Sequence, residues 1–236
     1  MRGRDSYDGA VTRIGLIGGM SWESTASYYR LLNEATSRRM GPWHQPSLLI
    51  DSLDFSRIVA LQQDGDWEAT GRILADSARR LAAGGAEVLA ICTNTMHRNL
   101  VDVQAAVSVP VVDIRDAMVD AVAALGATSV SLLGTRYLMT DDFYSSHLER
   151  AGLHVIKPLT GQVEELQSMI FSELTQGVVT AASRARFLEI ADDCRSRGGD
   201  VVGLCCTEFG LLVGESSAPW PFVDSTAAHV DALLRV

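Results

Sequence analysis

The feature that most constrains this chain is a strand-and-turn pattern that occurs twice. Arg13-Ile14-Gly15-Leu16-Ile17 is an apolar run that ends in Gly18-Gly19, and residues 86–91 form a second run that ends in Cys92-Thr93-Asn94-Thr95-Met96-His97. In the second half, residues 128–133 run into Gly134-Thr135-Arg136, and Val201-Val202 lead to Cys205-Cys206-Thr207-Glu208. Gly18 and Thr93 lie 75 positions apart, and Gly134 and Cys206 lie 72 apart. Each half therefore opens on a strand with a glycine turn and delivers a polar strand end at nearly the same interval, which points to an internal duplication. Helical stretches are expected between the strands, at residues 21–40, 66–83, 141–151, 163–176 and 181–197. Strands that alternate with helices make parallel sheets covered on both faces. The expected fold is thus α/β, with two pseudo-symmetric lobes and a cleft where their polar strand ends meet. Residues 12–115 with 221–236 are expected in the first lobe, 116–220 in the second, and 1–11 as a loose tail.

Composition narrows the function. The chain has 236 residues, a formal charge of −9 and 47% hydrophobic residues, enough for a large core. The negative balance argues against nucleic acid and anionic membrane as general partners. No stretch approaches the roughly 18 apolar residues of a membrane span, and the first dozen residues lack the apolar segment of a signal peptide; a cytoplasmic protein is expected. Its four cysteines, Cys92, Cys194, Cys205 and Cys206, read as reduced thiols. None has C-x-x-C spacing and only His97 follows a cysteine closely, so no metal site is expected. The turn at Gly18-Gly19 lacks the G-x-G-x-x-G spacing of a dinucleotide site.

Chemistry is expected where the strands end. Cys205 reads as a core cysteine, since free cysteine is among the most buried residue types. Cys206, followed by a hydroxyl and a carboxylate, reads as functional. Side chains alternate faces along a strand, so Cys92 points away from the cleft if Thr93 points into it. One polar group from each lobe, facing across a single substrate, suits removal of a proton from one face of a carbon and its return to the other.

The set Gly18-Gly19-Met20, Asn94-Thr95-Met96-His97 and Cys206-Thr207-Glu208 resembles the aspartate/glutamate racemase family, and most nearly its broad-specificity amino-acid branch. That resemblance implies cofactor-independent proton exchange at Cα of a small amino acid, without pyridoxal phosphate or metal, in a protein that acts as a homodimer. It places Cys206 at the family's second catalytic cysteine. The first cysteine's place is held by Thr93, a weaker acid and a poorer base, so Thr93 is expected as a proton relay or as a substrate-binding hydroxyl. Met20 and Gln62 match substrate-pocket positions, and Asn94, Thr95, Thr207 and Glu208 match residues that hold the substrate's amino and carboxylate groups. Arg57 falls where acidic-amino-acid racemases keep a carboxylate-binding arginine, and Thr135 is expected to meet a carboxylate from its turn. No lysine occurs at 174–177, where such enzymes hold a side-chain carboxylate. His97 is expected to orient its loop. The rival readings are a single-cysteine decarboxylase or isomerase of the same superfamily, a non-catalytic small-molecule binder, and a nucleotide-binding module.

Overall fold

The computed structural model describes residues 12–213 and 220–236; the expected tail at 1–11 lies outside them. Two four-stranded parallel sheets form the framework. The first contains β1 (Arg13–Gly18), β2 (Ser47–Ser52), β3 (Val88–Ile91) and β4 (Val111–Val112), in the order β2-β1-β3-β4. The second contains β5 (Ser129–Gly134), β6 (His154–Ile156), β7 (Val201–Cys205) and β8 (Phe222–Asp224), in the order β6-β5-β7-β8. The two orders are the same relative to chain direction, as a duplication requires. Register pairs Ile17 with Ile91 in the first sheet and Gly134 with Cys205 in the second, so the strand ends that carry Thr93 and Cys206 sit beside the glycine turns.

Helices cover both faces of each sheet, which is why the central strands read as continuous apolar runs. On the first sheet, α2 (Phe55–Asp64), α3 (Trp67–Ala83) and α4 (Leu100–Ala105) pack on one face through Ile58, Leu74, Ala78 and Val103, and α1 (Trp22–Met40) packs on the other through Tyr28 and Leu32. On the second, α7 (Asp142–Arg150) covers one face through Tyr144 and Leu148, while α8 (Thr160–Ser172), α9 (Ala181–Ser196) and α10 (Gly210–Val213) cover the other, after the short α6 (Arg136–Thr140). Strand alternation sorts the side chains: Leu89 and Ile91 face one cluster, Val88, Ala90 and Cys92 the other. Each fully buried leucine or isoleucine contributes about 1.5–3 kcal/mol relative to exposure.

The expected lobe division needs one correction. β8 pairs with β7, Val202 opposite Phe222, so this strand completes the second sheet and not the first. The helix behind it, α11 (Ser225–Leu233), crosses over and buries Val230 and Leu233 against Ile14, Leu16 and Val88 of the first sheet. Its counterpart α5 (Ile114–Ala124) leaves β4 of the first sheet and buries Ile114, Met118 and Val122 against Val130 and Val201 of the second. Each lobe thus lends a helix to the other. Only the start of each helix is set locally: Asp113, just after β4, and Asp224, at the end of β8, cap the helix that follows, Asp113 accepting from the Arg115 N–H and Asp224 from the Thr226 and Ala227 N–H groups. Both helices then leave an edge strand, where the neighbouring sheet offers the nearest uncovered face.

Candidate active site

The β1–α1 turn is built by Gly19 and Thr25. Gly19 has φ +81°, and a Cβ there would lie 2.2 Å from the Leu53 carbonyl oxygen, so only glycine fits. The Gly19 N–H donates to Thr25 Oγ1 at 2.8 Å, and Leu53 N–H donates to Gly18 O at 3.0 Å. The glycines therefore admit close approach of the chain's own β2–α2 segment rather than a phosphate. Ser21 caps α1 and projects its hydroxyl into the cleft.

At the cleft, a single cavity takes residues from both lobes. Met20, Ser24, Phe55, Gln62, Thr93, Asn94, Thr95 and Met96 line it from the first, and Thr135, Tyr137, Ile170, Phe171, Thr175, Cys205, Cys206, Thr207 and Glu208 from the second. Nine of the ten sequence-predicted positions are brought together here. Arg57 is not: it is exposed on α2, outside the lining. The chain from Ser52 reaches α2 through the Asp54 cap, which turns the Phe55 and Ile58 face inward and leaves Arg57 outside. Sequence reasoning missed the walls from Phe55, Tyr137, Ile170 and Phe171. The pairing of Gly134-Thr135 with a following aromatic was the available signal for Tyr137; the others lie on helices whose inward faces read as ordinary core.

Thr93 and Cys206 occupy corresponding places just past the ends of the central strands, Thr93 two residues beyond β3 and Cys206 one residue beyond β7. Cys92 and Cys205, one residue earlier, pack into the core on the faces covered by the exchanged helices. Burial pushes the Cys205 thiol up to about 12 and the Cys92 thiol higher still, so neither ionises in use. Thr93 is half-buried, and its hydroxyl makes no hydrogen bond to the described residues. Its backbone is fixed independently of the side chain, by N–H to Ile91 O at 2.8 Å and by the His97 Nδ1–H, which donates to Thr93 O at 2.8 Å. His97 Nε2 in turn accepts the Ile114 N–H at 3.2 Å. Burial lowers the His97 pKa to about 4, so the ring is neutral and its tautomer is set by these two partners. His97 orients the loop, as expected.

Hydrogen bonds tie the lobes around the cavity. Asn94 Nδ2 donates to Ser225 Oγ at 2.9 Å and Asn94 Oδ1 accepts from Tyr144 Oη at 3.0 Å, so its amide is spent largely on joining the halves. Thr95 and Thr135 share a hydroxyl bond of 2.9 Å, Tyr137 Oη donates to the Gln62 carbonyl at 3.2 Å, and Ser24 bonds Thr207. Glu208 is 6% exposed and fully partnered: Ser21 Oγ donates to Oε1 at 2.8 Å, while Cys206 Sγ and Thr207 Oγ1 donate to Oε2 at 3.0 and 2.7 Å. Burial, and then the adjacent Glu208 charge, raise the Cys206 pKa well above that of an ordinary thiol. At rest Cys206 is a thiol.

A model of the Asp/Glu/Hydantoin racemase family matches residues 17–233. The chain belongs to this family. A Yersinia pestis protein described as a candidate Asp/Glu racemase is 37% identical, with 95% of this chain and 98% of that one covered and a TM-score of 0.87. An aspartate racemase homologue from Pyrococcus horikoshii is 35% identical over 95% and 98% of the two chains, with a TM-score of 0.84. Arylmalonate decarboxylase shares the fold alone, at 16% identity, with 94% of this chain and 91% of that chain covered and a TM-score of 0.50. For a racemase-family chain the two-lobe α/β architecture is the expected one. One group of metal-type side chains occurs among the described residues, Asp113, Asp116 and His147. It lies away from the cavity, with Asp113 held by Arg115 at 2.7 Å and His147 by Asp116 at 2.6 Å.

Proposed function

We propose that this racemase-family chain interconverts the enantiomers of free amino acids by exchanging the Cα proton, with Cys206 working one face and Thr93 the other. One observation carries the reading: Thr93 and Cys206 stand at matching strand ends of the two lobes and line the same cavity. A substrate held between them presents opposite faces of Cα to a thiol and to a hydroxyl. Cys206, once ionised, removes the proton; the electron pair passes into the carboxylate, and Thr93 relays a proton to the opposite face. The Thr95, Thr135 and Thr207 hydroxyls on the cavity wall suit the carboxylate as its charge grows, and Met20 and Gln62 shape the side-chain space. Neither lysine nor arginine lines the cavity among the described residues, which favours a substrate range wider than aspartate and glutamate. The chemistry calls for no cofactor. The chain is proposed to work as a cytoplasmic homodimer; among the described residues no helix is long and apolar enough to cross a membrane.

The test is incubation in heavy water with L-aspartate, L-glutamate and several neutral L-amino acids, reading Cα deuterium by NMR and handedness by chiral chromatography. Deuterium with D-product, lost in Cys206→Ala, is the expected result. Absence of exchange with every amino acid, together with turnover of a disubstituted malonate or of maleate, would replace the racemase by a decarboxylase or isomerase. Ligand binding without exchange, unaffected by Cys206→Ser, would leave a binder.

A further inference from the structure

We propose that Arg98 is the latch of the cleft: stacked on the first lobe and ion-paired to the second, it holds the seam at which the lobes part to admit a ligand. The size of the cavity makes such a seam necessary. The cavity offers about 40 Å³ to the centres of water-sized spheres, and by that measure one water needs about 10–15 Å³. About three waters fit, and every amino acid with a side chain is larger. If the cavity is the ligand site, as the racemase reading has it, the lobes must separate for each ligand that enters.

Contacts between the lobes differ in what separation costs. Behind the cavity, α5 and α11 cross between the sheets and Asn94 bonds Ser225 and Tyr144. These contacts are buried and act as the pivot. At one edge Ser21, Ser24 and Glu208 are buried as well. The other edge is different. The Arg98 guanidinium lies 4.4 Å over the Trp67 ring and 5.9 Å from the Phe143 ring, and it bonds Asp141. Trp67 also meets Tyr137 edge-on, with ring centroids 5.1 Å apart, and Tyr137 lines the cavity. Trp67 and Arg98 belong to the first lobe; Tyr137, Asp141 and Phe143 belong to the second. None of these side chains is buried. When this seam opens, the guanidinium, the carboxylate and the Tyr137 hydroxyl pass to water, and the Gln62 carbonyl that Tyr137 leaves keeps the Gly65 N–H. The Thr95–Thr135 bond inside the cavity joins two hydroxyls that water or a ligand can satisfy. No buried polar group is orphaned, so this edge is the one that parts. Arg98 stays with its own lobe, because Asn99 Nδ2 beside it donates to the Trp67 carbonyl at 2.9 Å. Stacking on Trp67 orders the guanidinium before Asp141 arrives, which spares the pair the side-chain entropy that weakens most exposed ion pairs.

Cys206 reports the opening, because its thiol is buried in the closed cleft and meets a reagent when the lobes part. Iodoacetamide, which is uncharged, is added at one alkaline pH, and alkylation of each cysteine is followed by site-resolved mass spectrometry. With opening fast against alkylation, the rate follows the open fraction. Arg98→Met keeps the stem on Trp67 but removes the charge, and it should speed Cys206 alkylation by about 5–30-fold. Cys92 and Cys194, packed in the cores of the two lobes, should keep their wild-type rates, whereas a loss of global stability would raise every cysteine together. Asp141→Asn should give a similar rise, and the double variant no more than the larger single one, as for two halves of one contact. High salt should speed the wild type and leave Arg98→Met unmoved. Arg72→Met removes an exposed ion pair on α3 outside the seam and should match wild type. A Cys206 rate that neither single variant moves, or a parallel rise of Cys92 and Cys194, would overturn the proposal. Turnover is not needed for this readout: if the chain exchanges no amino-acid proton, the racemase reading fails while alkylation still decides the latch.

Discussion

Replacing Thr93 by cysteine should convert an uneven pair of proton carriers into a matched one. The structure makes this substitution nearly free of side effects. Thr93 is half-buried, its hydroxyl has no partner among the described residues, and its backbone is held by Ile91 O and the His97 ring whatever the side chain. Cysteine is close to threonine in size, so no buried donor is orphaned and stability should change by no more than about 1 kcal/mol. The chemical change is large, because a thiol titrates near pH 8.5 in the ordinary case whereas an aliphatic hydroxyl holds its proton throughout the working range. A well-placed general acid or base contributes about 10²–10⁴-fold, and Thr93 should fall far short of that share on its own face. Wild type should therefore exchange the Cα protons of the two enantiomers at unequal rates. Thr93→Cys should raise the slower one by about 100-fold or more and leave the faster one, which belongs to Cys206, within a few-fold. Initial rates of deuterium incorporation from pure L- and pure D-substrate, with denaturant melts as a stability control, read both quantities. Equal wild-type rates, or a slower rate that Thr93→Cys leaves unmoved, would refute the assignment of Thr93 to the second face and return it to substrate binding.

Three further outcomes are expected. Arg57→Ala should leave KM and kcat unchanged for every substrate, acidic ones included, because the side chain is exposed and outside the cavity; steady-state kinetics check it. Asn94→Ala should lower stability by about 2–3 kcal/mol, since it strands the Tyr144 hydroxyl and unties Ser225 at a buried junction of the lobes; urea titration measures this. Acid should destabilise the fold through its two buried histidines. Burial lowers His97 to about 4 and His229 to about 3, the latter ring accepting from Tyr28 and donating to the Val112 carbonyl. Between those values and the unfolded pKa of about 6.5 the unfolded chain binds more protons, so stability is full above pH 6.5 and falls as pH drops through that window. The loss reaches about 3 kcal/mol per ring near pH 4, and Tm measured from pH 7 to 4.5 should fall accordingly.

Much of this protein is legible in its sequence, and for a physical reason. Apolar runs, glycine turns and caps act within a few residues, so β1, α1, α3, β5 and α9 follow from local pattern, and strand alternation alone separates Cys92 from Thr93 and Cys205 from Cys206. Equal spacing of the two polar strand ends reports the duplication. Short elements escape such reading: α2 and α6 are held by one cap or one turn and by the walls they press against, with little periodicity of their own.

What the tertiary structure decided concerns long-range partners. The placement of β8 beside β7, and the crossing of α5 and α11 to the opposite sheets, depend on which apolar face is left uncovered, a property of two sheets together. Arg57 is turned outward by the inward demand of Phe55 and Ile58. The union of Ser21 with Glu208, 187 residues apart in the chain, exists only because two lobes close on each other. Sequence determines which residues stand at a strand's end; the fold determines which of them face one another, because that is fixed by packing between segments that carry no local record of their partners.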